Sequence, residues 1–453
     1  MVNLFNLFKF IKQNGLCILL CFFMMAMVTV RADSTSTAGT EGAALFKRIS
    51  AHVFQIKTAK SADAPKSSYG TGFVVNRRGY LITNYHVIAS IVHDEDNNYK
   101  AFLVDGQKNF EAKVVAFSAI HDIALIKVDK IFDGELSLYP QELPVGSDIY
   151  SLGLPEDLRM AIVNGNYNGV VRDGVYERIF MTTPINAGMS GGPTVDGKGR
   201  VVGVNVSYQI GALNITFSVP IKHALSIMST VNMLSGGQEQ NLQYAYSVIE
   251  KQLEQIQNSL MQGILHVGAG AGTAKEIPVI AKWRLIPLSD TLKCWGKNIT
   301  SEKKQFQTIG HYCYLKNAAF LEVGNYSGTF EIHYEALENI SLSTLQFYHQ
   351  VDEVLNKTEI LENAYLSFLK DDSLTKYACD ENLVVTKTGI PFRVNFCLSG
   401  LVKYKNLYKL KFKAVSLRKG NSYLIVRGNF DGIGRENVFR FMEHHLAGIE
   451  YKE

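Results

Sequence analysis

Between about residues 52 and 220 the chain consists of short β-branched runs separated by glycine, asparagine and aspartate. Apolar runs of this length, bounded by turn residues, predict strands. Their close spacing excludes alternating strands and helices, so the region is expected to fold as a β-barrel or β-sandwich. The predicted strands cover residues 71–75, 80–83, 110–117, 123–128, 148–152, 170–171, 179–183 and 200–206.

A histidine, an aspartate and a serine stand at the ends of these runs. His86 follows an apolar strand, Asp122 opens another, and Ser190 lies between glycines. A serine hydroxyl is a poor nucleophile, so it needs a base to take its proton and a third group to orient that base. We expect Ser190, His86 and Asp122 to fill these three roles. The alternative of an α/β-hydrolase esterase predicts the chain order Ser, Asp, His, which this sequence does not have.

Attack by a serine also creates an oxyanion, which needs hydrogen-bond donors already in place. In the segment Gly188-Met189-Ser190 the backbone N–H groups of Gly188 and Ser190 can point into one pocket. We therefore expect these two groups to form the oxyanion hole.

Five segments resemble the HtrA (DegP-like) branch of trypsin-like serine proteases. They are residues 70–75 (GTGFVV), 83–87 (TNYHV), 122–125 (DIAL), 186–193 (NAGMSGGP) and 217–221 (FSVPI). The resemblance implies a trypsin-like protease domain over residues 45–232, with two six-stranded β-barrels and the triad between them. It implies a serine endopeptidase that acts on proteins or peptides.

The family analogy also implies cleavage after small or medium aliphatic residues. Pro184 stands where trypsin-type enzymes keep an acid for basic side chains, and Val204, Asn205 and Val206 add no charge. We expect these four residues to form the specificity pocket.

Residues 1–32 have the form of a signal peptide. A lysine-containing start precedes the apolar run 16–30, and Ala32 ends a small-residue cleavage pattern. Cleavage there would leave a flexible lead-in over residues 33–44 and no membrane span; the alternative is an uncleaved membrane anchor. Asn205 is a glycosylation sequon in a predicted strand near Ser190, where a glycan would obstruct substrate, which favours a bacterial periplasmic or secreted protein over a eukaryotic one.

The composition is that of a globular protein, with 47% apolar and 19% charged residues. The formal net charge is +4, and loss of residues 1–32 would bring it close to neutral. This balance gives no support for a nucleic-acid partner. The sequence contains no recognisable set of metal ligands, and we expect no cofactor.

Residues 237–263 predict an amphipathic helix. Its apolar stripe consists of Leu242, Tyr246, Ile249, Leu253, Ile256 and Leu260. These residues are spaced alternately four and three positions apart, which is typical of a helix face that packs on a neighbouring domain. The alternative is self-association of two chains as a short coiled coil through residues 242–260.

Residues 273–453 predict an α+β domain of unknown type. Predicted strands cover residues 277–285, 312–323, 328–334, 383–386, 392–398, 407–417 and 422–427, and predicted helices cover 343–355, 360–369 and 435–446. The glycine loop of a PDZ domain, which usually follows an HtrA protease, is not recognisable in it. An alternative function is therefore a cell-envelope binding or scaffold protein, with this domain as the working part and a latent protease fold.

Four cysteines lie in this C-terminal region: Cys294, Cys313, Cys379 and Cys397. In an exported chain they allow three pairings. Pairing Cys294 with Cys313 and Cys379 with Cys397 is favoured, because each bond closes a loop of about 20 residues.

Overall fold

The computed structural model describes residues 37–452 apart from gaps at 95, 97, 156–157, 173, 207–214, 232–244, 266–278, 289–291, 301–304, 316–317, 323–324, 357–372 and 418. By internal contacts the chain divides into two compact units, Met1–Phe46 and Lys47–Glu453. In the first unit only the start of helix α1 (Thr37–Ile49) is described. The expected signal peptide lies outside the described residues.

The second unit begins with a closed six-stranded barrel in the order β1-β2-β3-β6-β5-β4. The strands are β1 (Val53–Ala59), β2 (Ser68–Asn76), β3 (Tyr80–Thr83), β4 (Lys100–Asp105), β5 (Lys108–Ser118) and β6 (Ile123–Val128). Helix α2 (Tyr85–Val92) follows β3 directly. All four residues of β3 are buried, so both faces of this strand in the barrel wall are covered.

A second closed six-stranded barrel has the order β10-β11-β12-β9-β8-β7. Its strands are β7 (Asp148–Gly153), β8 (Ala161–Val171), β9 (Arg178–Met181), β10 (Pro193–Asp196), β11 (Val201–Val206) and β12 (Thr216–Pro220), and helix α3 (Ile221–Ser229) follows them. Two closed barrels of six strands are the architecture implied by the family resemblance, and this expectation is confirmed.

Helix α4 (Ala245–Leu265) follows the barrels. Ile249 and Leu253 of its predicted stripe are fully buried within the chain, while Tyr246, Ile256 and Leu260 pack at the edge of the same core. Helix α4 contacts the C-terminal domain, and the side chain of Gln252 binds the backbone of Phe117 at 3.1 Å in the first barrel. The described part of this stripe is therefore used between domains of one chain, as the first of the two interpretations expected, and Leu242 lies outside the described residues.

The C-terminal domain is built on a seven-stranded antiparallel sheet in the order β15-β16-β19-β23-β22-β21-β20. Its strands are β15 (Lys293–Thr300), β16 (Phe306–Tyr314), β19 (Thr329–Asn339), β20 (Ala378–Val385), β21 (Pro391–Leu401), β22 (Tyr404–Ser416) and β23 (Ser422–Ile433). Shorter strands are β13 (Val279–Ile280), β14 (Trp283–Arg284), β17 (Ala319–Glu322), β18 (Asn325–Ser327) and β24 (Glu450–Tyr451). Helices α5 (Thr344–Asn356) and α6 (Arg435–Ala447) complete it.

The two faces of this sheet bury different clusters. Phe330, Phe412 and Phe430 lie on one face with Phe441 of α6, and all four are fully or almost fully buried. On the other face, Phe347 and Val351 of α5 cover Leu337 and Ile425. The predicted helix over residues 360–369 lies outside the described residues.

Disulfides join the outer strands at both edges of the sheet. Cys294 of β15 bonds to Cys313 of β16, directly opposite, with Cα atoms 4.1 Å apart. Cys379 of β20 bonds to Cys397 of β21, with Cα atoms 4.0 Å apart. Each bond therefore fastens an edge strand to its neighbour.

The N-terminal lead-in differs from the expectation. Residues 33–44 were expected to be flexible, but helix α1 begins at Thr37. Ala38, Ala43 and Ala44 have the highest helix propensity of any residue type, which favours an early start despite the glycines between them. Among the described residues, no helix has the length and apolar character needed to cross a membrane.

Candidate active site

Pairing of β3 with β6 brings His86 and Asp122 together. Thr83 lies opposite Ala124, so the residues that follow β3 are beside the residue that precedes β6. Nδ1 of His86 binds Oδ2 of Asp122 at 2.7 Å, and the backbone N–H of His86 donates to Oδ1 at 2.8 Å. Because Nδ1 faces a carboxylate, it carries the proton in the neutral ring, which leaves Nε2 as the free basic nitrogen.

The backbone of Asp122 is held in an unusual conformation. Its φ is +52°, in the left-handed region that only glycine adopts without cost. The buried amide of Asn84 donates from Nδ2 to the carbonyl oxygen of Asp122 at 2.7 Å and fixes this peptide. The backbone of Asp122 is therefore strained by an amount on the order of 1 kcal/mol, and this strained conformation places its carboxylate against His86.

The surroundings of His86 favour its charged form. Burial alone would lower the pKa of the imidazole, but the charge of Asp122 and its hydrogen bond outweigh that effect and raise the pKa above 6.5. Asp122 is 5% exposed, whereas the side chain of His86 is 29% exposed. The carboxylate is therefore shielded from water while the imidazole remains accessible to a ligand.

Ser190 directly follows a tight turn over residues 186–189. The N–H of Met189 donates to the carbonyl of Asn186 at 3.1 Å, and Gly188, the third residue of this turn, has φ +90°. A positive φ at that position is typical of a type II turn and requires glycine. The N–H of Met189 closes the turn, so the expected oxyanion donors, Gly188 and Ser190, lie on either side of it.

Thr71 of β2 attaches this turn to the first barrel. Its N–H donates to the carbonyl of Ser190 at 2.7 Å, and its hydroxyl donates to the carbonyl of Gly188 at 2.7 Å. The hydroxyl of Thr83 in turn donates to the carbonyl of Thr71 at 2.7 Å. The strand before His86 and the turn that carries Ser190 are therefore connected through one residue.

The sequence alone does not indicate a role for Thr71, although its position between Gly70 and Gly72 is informative. A Cβ atom on Gly70 would lie 2.9 Å from the carbonyl oxygen of Ser190. On Gly191, φ +83°, a Cβ atom would overlap the carbonyl of Thr71 and lie 2.9 Å from the nitrogen of Asn84. Both glycines are needed because the two barrels approach each other backbone to backbone here.

Asn205 departs from its expected place in a specificity pocket. It is fully buried; Nδ2 donates to the carbonyl of Leu152 at 2.9 Å, and Oδ1 accepts a hydrogen bond from the hydroxyl of Thr194 at 2.6 Å. Its backbone carbonyl accepts from the N–H of Gly191 at 3.0 Å. The amide therefore ties β11 to β7 and β10 beneath the Ser190 turn and does not form a pocket wall.

The other expected pocket residues are divided between core and surface. Val204 is fully buried in the second barrel, Val206 is half-buried, and Pro184 is exposed. Only Val206 and Pro184 are thus accessible to a substrate.

A pair of stacked histidines lies behind Asp122. The rings of His121 and His223 are 3.9 Å apart and nearly parallel, and Nε2 of His223 is 3.0 Å from a carboxylate oxygen of Glu177. Burial and the neighbouring His223 lower the pKa of His121 to about 4. His121 is therefore neutral near pH 7, and it does not compete with His86 for the charge of Asp122.

The double barrel and this arrangement define the class of domain as a trypsin-like peptidase. Residues 70–204 match the family model described as a trypsin-like peptidase domain. More narrowly, the domain is similar to proteases of the HtrA (DegP-like) branch. It is 29% identical over 174 residues to "Protease Do-like 1, chloroplastic" of Arabidopsis thaliana, covering 35% of this chain and 38% of that protein.

A bacterial relative aligns with this chain over a similar number of residues. The chain is 32% identical over 174 residues to the "Probable periplasmic serine endoprotease DegP-like" of Bartonella henselae, covering 36% of this chain and 33% of that protein. The chain thus spans about a third of the length of these relatives.

Two solved structures are similar to part of the chain. "Crystal structure of Deg5" is 25% identical with a TM-score of 0.36, covering 43% of this chain and 95% of that chain. "Crystal structure of Rv3671c protease from M. tuberculosis, active form" is 21% identical with a TM-score of 0.37, covering 43% and 85%.

Proposed function

We propose that this chain is an exported serine endopeptidase that hydrolyses peptide bonds through His86, Asp122 and Ser190. The observation that carries the proposal is the double contact of Asp122 with His86, made beside the turn in which Thr71 holds Ser190. An acid that orients a histidine next to a serine turn is the arrangement that activates a serine nucleophile.

In the proposed reaction, Nε2 of His86 takes the proton of the Ser190 hydroxyl as its oxygen attacks the scissile carbonyl. Asp122 keeps the proton on Nδ1 and stabilises the imidazolium that forms. The tetrahedral intermediate collapses to an acyl-enzyme when His86 passes the proton to the leaving amine. Water, deprotonated by the same nitrogen, then releases the acid and regenerates Ser190.

The N–H groups of Gly188 and Ser190 are proposed to bind the oxyanion in both steps. Support comes from the turn at Gly188. The positive φ of Gly188 and the hydrogen bond that its carbonyl accepts from Thr71 fix the orientation of the peptide between Gly188 and Met189. Donors fixed before the reaction begins need no reorganisation during it, and each such donor is worth about 10²–10³ in rate.

We propose cleavage after small or medium aliphatic residues such as valine, alanine or isoleucine. Pro184 is exposed and carries no charge, and the half-buried Val206 adds an apolar surface. A basic side chain would find no acid at either position. A peptide library in which cleavage follows arginine or lysine would overturn this specificity.

Export is proposed from residues 1–32, and the relative in Bartonella henselae is named a probable periplasmic endoprotease. Fractionation of cells that express the full chain, with and without residues 2–32, tests this. We expect the shorter processed chain outside the cytoplasm only when the leader is present.

The activity is tested with a fluorophosphonate probe and with casein as substrate. We expect the wild-type chain to be labelled and to cleave casein, and the Ser190→Ala and His86→Ala variants to lose both properties. Ser229→Ala, on the exposed surface of α3, is the matched control and should behave as wild type. A folded wild-type chain that is neither labelled nor active would contradict the proposal.

A further inference from the structure

We propose that Phe320 of the C-terminal domain is a positioning residue of the protease site, which restricts the imidazole of His86 to the orientation that Asp122 binds. This inference rests on the proposed protease function and assigns a catalytic contribution to a domain outside the two barrels. It predicts that the C-terminal domain influences the chemistry through its contact with His86.

Phe320 lies in the hairpin of β17 and β18 and meets His86 edge to face. Their ring centroids are 6.1 Å apart with an interplanar angle of 74°. Phe320 also contacts Tyr85, the preceding residue, at 6.4 Å and 66°. Aromatic rings at such separations and angles attract each other. His86 is therefore bound through its Nδ1 edge by Asp122 and flanked by a bulky ring from another domain.

The hairpin is fastened to the helix that carries His86. The carbonyl of Leu321 accepts hydrogen bonds from the hydroxyl of Tyr85 at 3.0 Å and from Nε2 of His93 at 2.8 Å. Tyr85 begins helix α2, and His93 is the residue that caps its end. Because both ends of α2 bind the residue next to Phe320, the ring has little freedom to move away from His86.

Contacts on the other side of the hairpin fix its position. Gly328 directly follows β18, and a Cβ atom there would lie 2.7 Å from Cγ2 of Val175 in the second barrel. Glu322 binds Lys403 of the C-terminal domain at 2.9 Å, so its carboxylate is engaged away from His86. Asp122, from the connection between β5 and β6, is thus the acid that binds His86. The hairpin is held between α2 and the loop that contains Val175.

A single hydrogen bond to Nδ1 does not prevent a histidine from swinging about its Cα–Cβ bond. The Phe320 ring restricts that rotation and excludes water from one side of the imidazole. Small displacements of a catalytic group are costly, since a misplacement of about 1 Å lowers rates by about 10²-fold. Removal of the ring should therefore lower kcat more than it changes KM.

The test compares Phe320→Ala, Phe320→Leu and Tyr326→Ala in the full chain. Tyr326 lies opposite Phe320 in the hairpin, with ring centroids 5.7 Å apart, so it is a matched aromatic control one strand away. We expect Phe320→Ala to lower kcat/KM about tenfold, mainly through kcat. Phe320→Leu keeps the bulk and should recover most of the activity, and Tyr326→Ala should have a small effect.

The pH dependence of kcat/KM distinguishes a loss of His86 positioning from a general disturbance of the fold. Burial lowers the pKa of His86 and Asp122 raises it, so loss of the ring relieves burial and raises the pKa further. The acidic limb of kcat/KM in Phe320→Ala should then move to higher pH by about 0.3–0.5 unit. The same shift should appear when His86 is titrated by NMR on ¹³C-labelled histidine.

Equal losses of kcat/KM in Phe320→Ala and Tyr326→Ala, with the His86 titration unchanged in both, would overturn the inference. The NMR titration does not require turnover. If the wild-type chain proved inactive, the proposed function would fail, while the His86 titration would still decide whether Phe320 acts on this ring.

Discussion

The two carboxylate oxygens of Asp122 bind two different atoms of His86, one on the ring and one on the backbone. Oδ2 is 2.7 Å from Nδ1, and Oδ1 accepts the backbone N–H at 2.8 Å. The backbone contact fixes the position of the carboxylate, so the ring contact fixes the tautomer and restrains the orientation of the ring without locking it. An amide at position 122 could keep one contact but not both.

Asp122→Asn should therefore lower kcat/KM by about 10³–10⁴-fold while the chain remains folded, because the amide favours the wrong tautomer of His86. Loss of the negative charge also removes what raises the pKa of His86, so the acidic limb of the remaining activity should move to lower pH. Steady-state kinetics between pH 5 and 9 on casein-derived peptides measure both effects. Residual activity with an unshifted limb would show that Asp122 does not orient His86.

Gly191 is predicted to be essential for the contact between the barrels. With φ +83°, an alanine there is strained, and its Cβ would overlap the carbonyl of Thr71. Gly191→Ala should displace the Ser190 turn and reduce the rate of fluorophosphonate labelling by at least about 10²-fold. Gly106→Ala is the matched control, because its φ is +60° and no atom lies within 4 Å of the added Cβ.

The control should cost only about 1 kcal/mol of stability and leave labelling unchanged. Similar labelling rates for Gly191→Ala and wild type would show that the turn tolerates a displaced backbone.

Asn205 is predicted to support the fold of the second barrel. Asn205→Ala leaves the carbonyl of Leu152 and the hydroxyl of Thr194 without their buried partner, which should lower the free energy of unfolding by about 2–4 kcal/mol. Thermal unfolding of this variant and of Asn298→Ala, an exposed asparagine on β15, gives the comparison. Equal melting temperatures would refute a structural role for the Asn205 amide.

The barrels and the approach of His86 to Asp122 could be predicted because their signals are local. Short apolar runs, turn residues and glycine-rich segments are each readable within a few residues. Asn205 was misplaced for a geometric reason: successive strand residues point to opposite sides, and the sequence alone did not say which side faced the barrel interior.

Other features have no local signal. Strand β15 was not predicted because almost all of its residues are exposed, so no apolar alternation marks it. The contact between Phe320 and His86 joins residues more than two hundred positions apart, and it depends on how the C-terminal domain docks on α2. Thr71 was noticed only as part of a motif, and its hydrogen bonds to Gly188 and Ser190 required the two barrels to be placed together.

His445 is predicted to make the C-terminal domain sensitive to acid. Its ring is 2% exposed and stacked on Phe441 at 4.0 Å, and Nδ1 donates to the carbonyl of Phe441 at 3.2 Å. Burial and, to a smaller extent, His444 lower its pKa to about 3. The unfolded chain takes up this proton near pH 6.5 and the folded chain does not, so the full stability is present above pH 6.5 and is lost progressively as the pH falls toward 3.

The loss is at most about 1.4 kcal/mol per pH unit. His445→Phe should remove this loss. Between pH 7.0 and 4.5, the unfolding free energy of the wild type should therefore fall by about 2.5 kcal/mol more than that of the variant. The chain has two tryptophans, Trp283 and Trp295, both in the C-terminal domain, so urea unfolding followed by tryptophan fluorescence reports on this domain. His349→Phe, whose histidine side chain is 73% exposed on α5, is the control and should keep the acid sensitivity of wild type. A difference between wild type and His445→Phe that stays constant from pH 7.0 to 4.5 would exclude His445 as the group responsible.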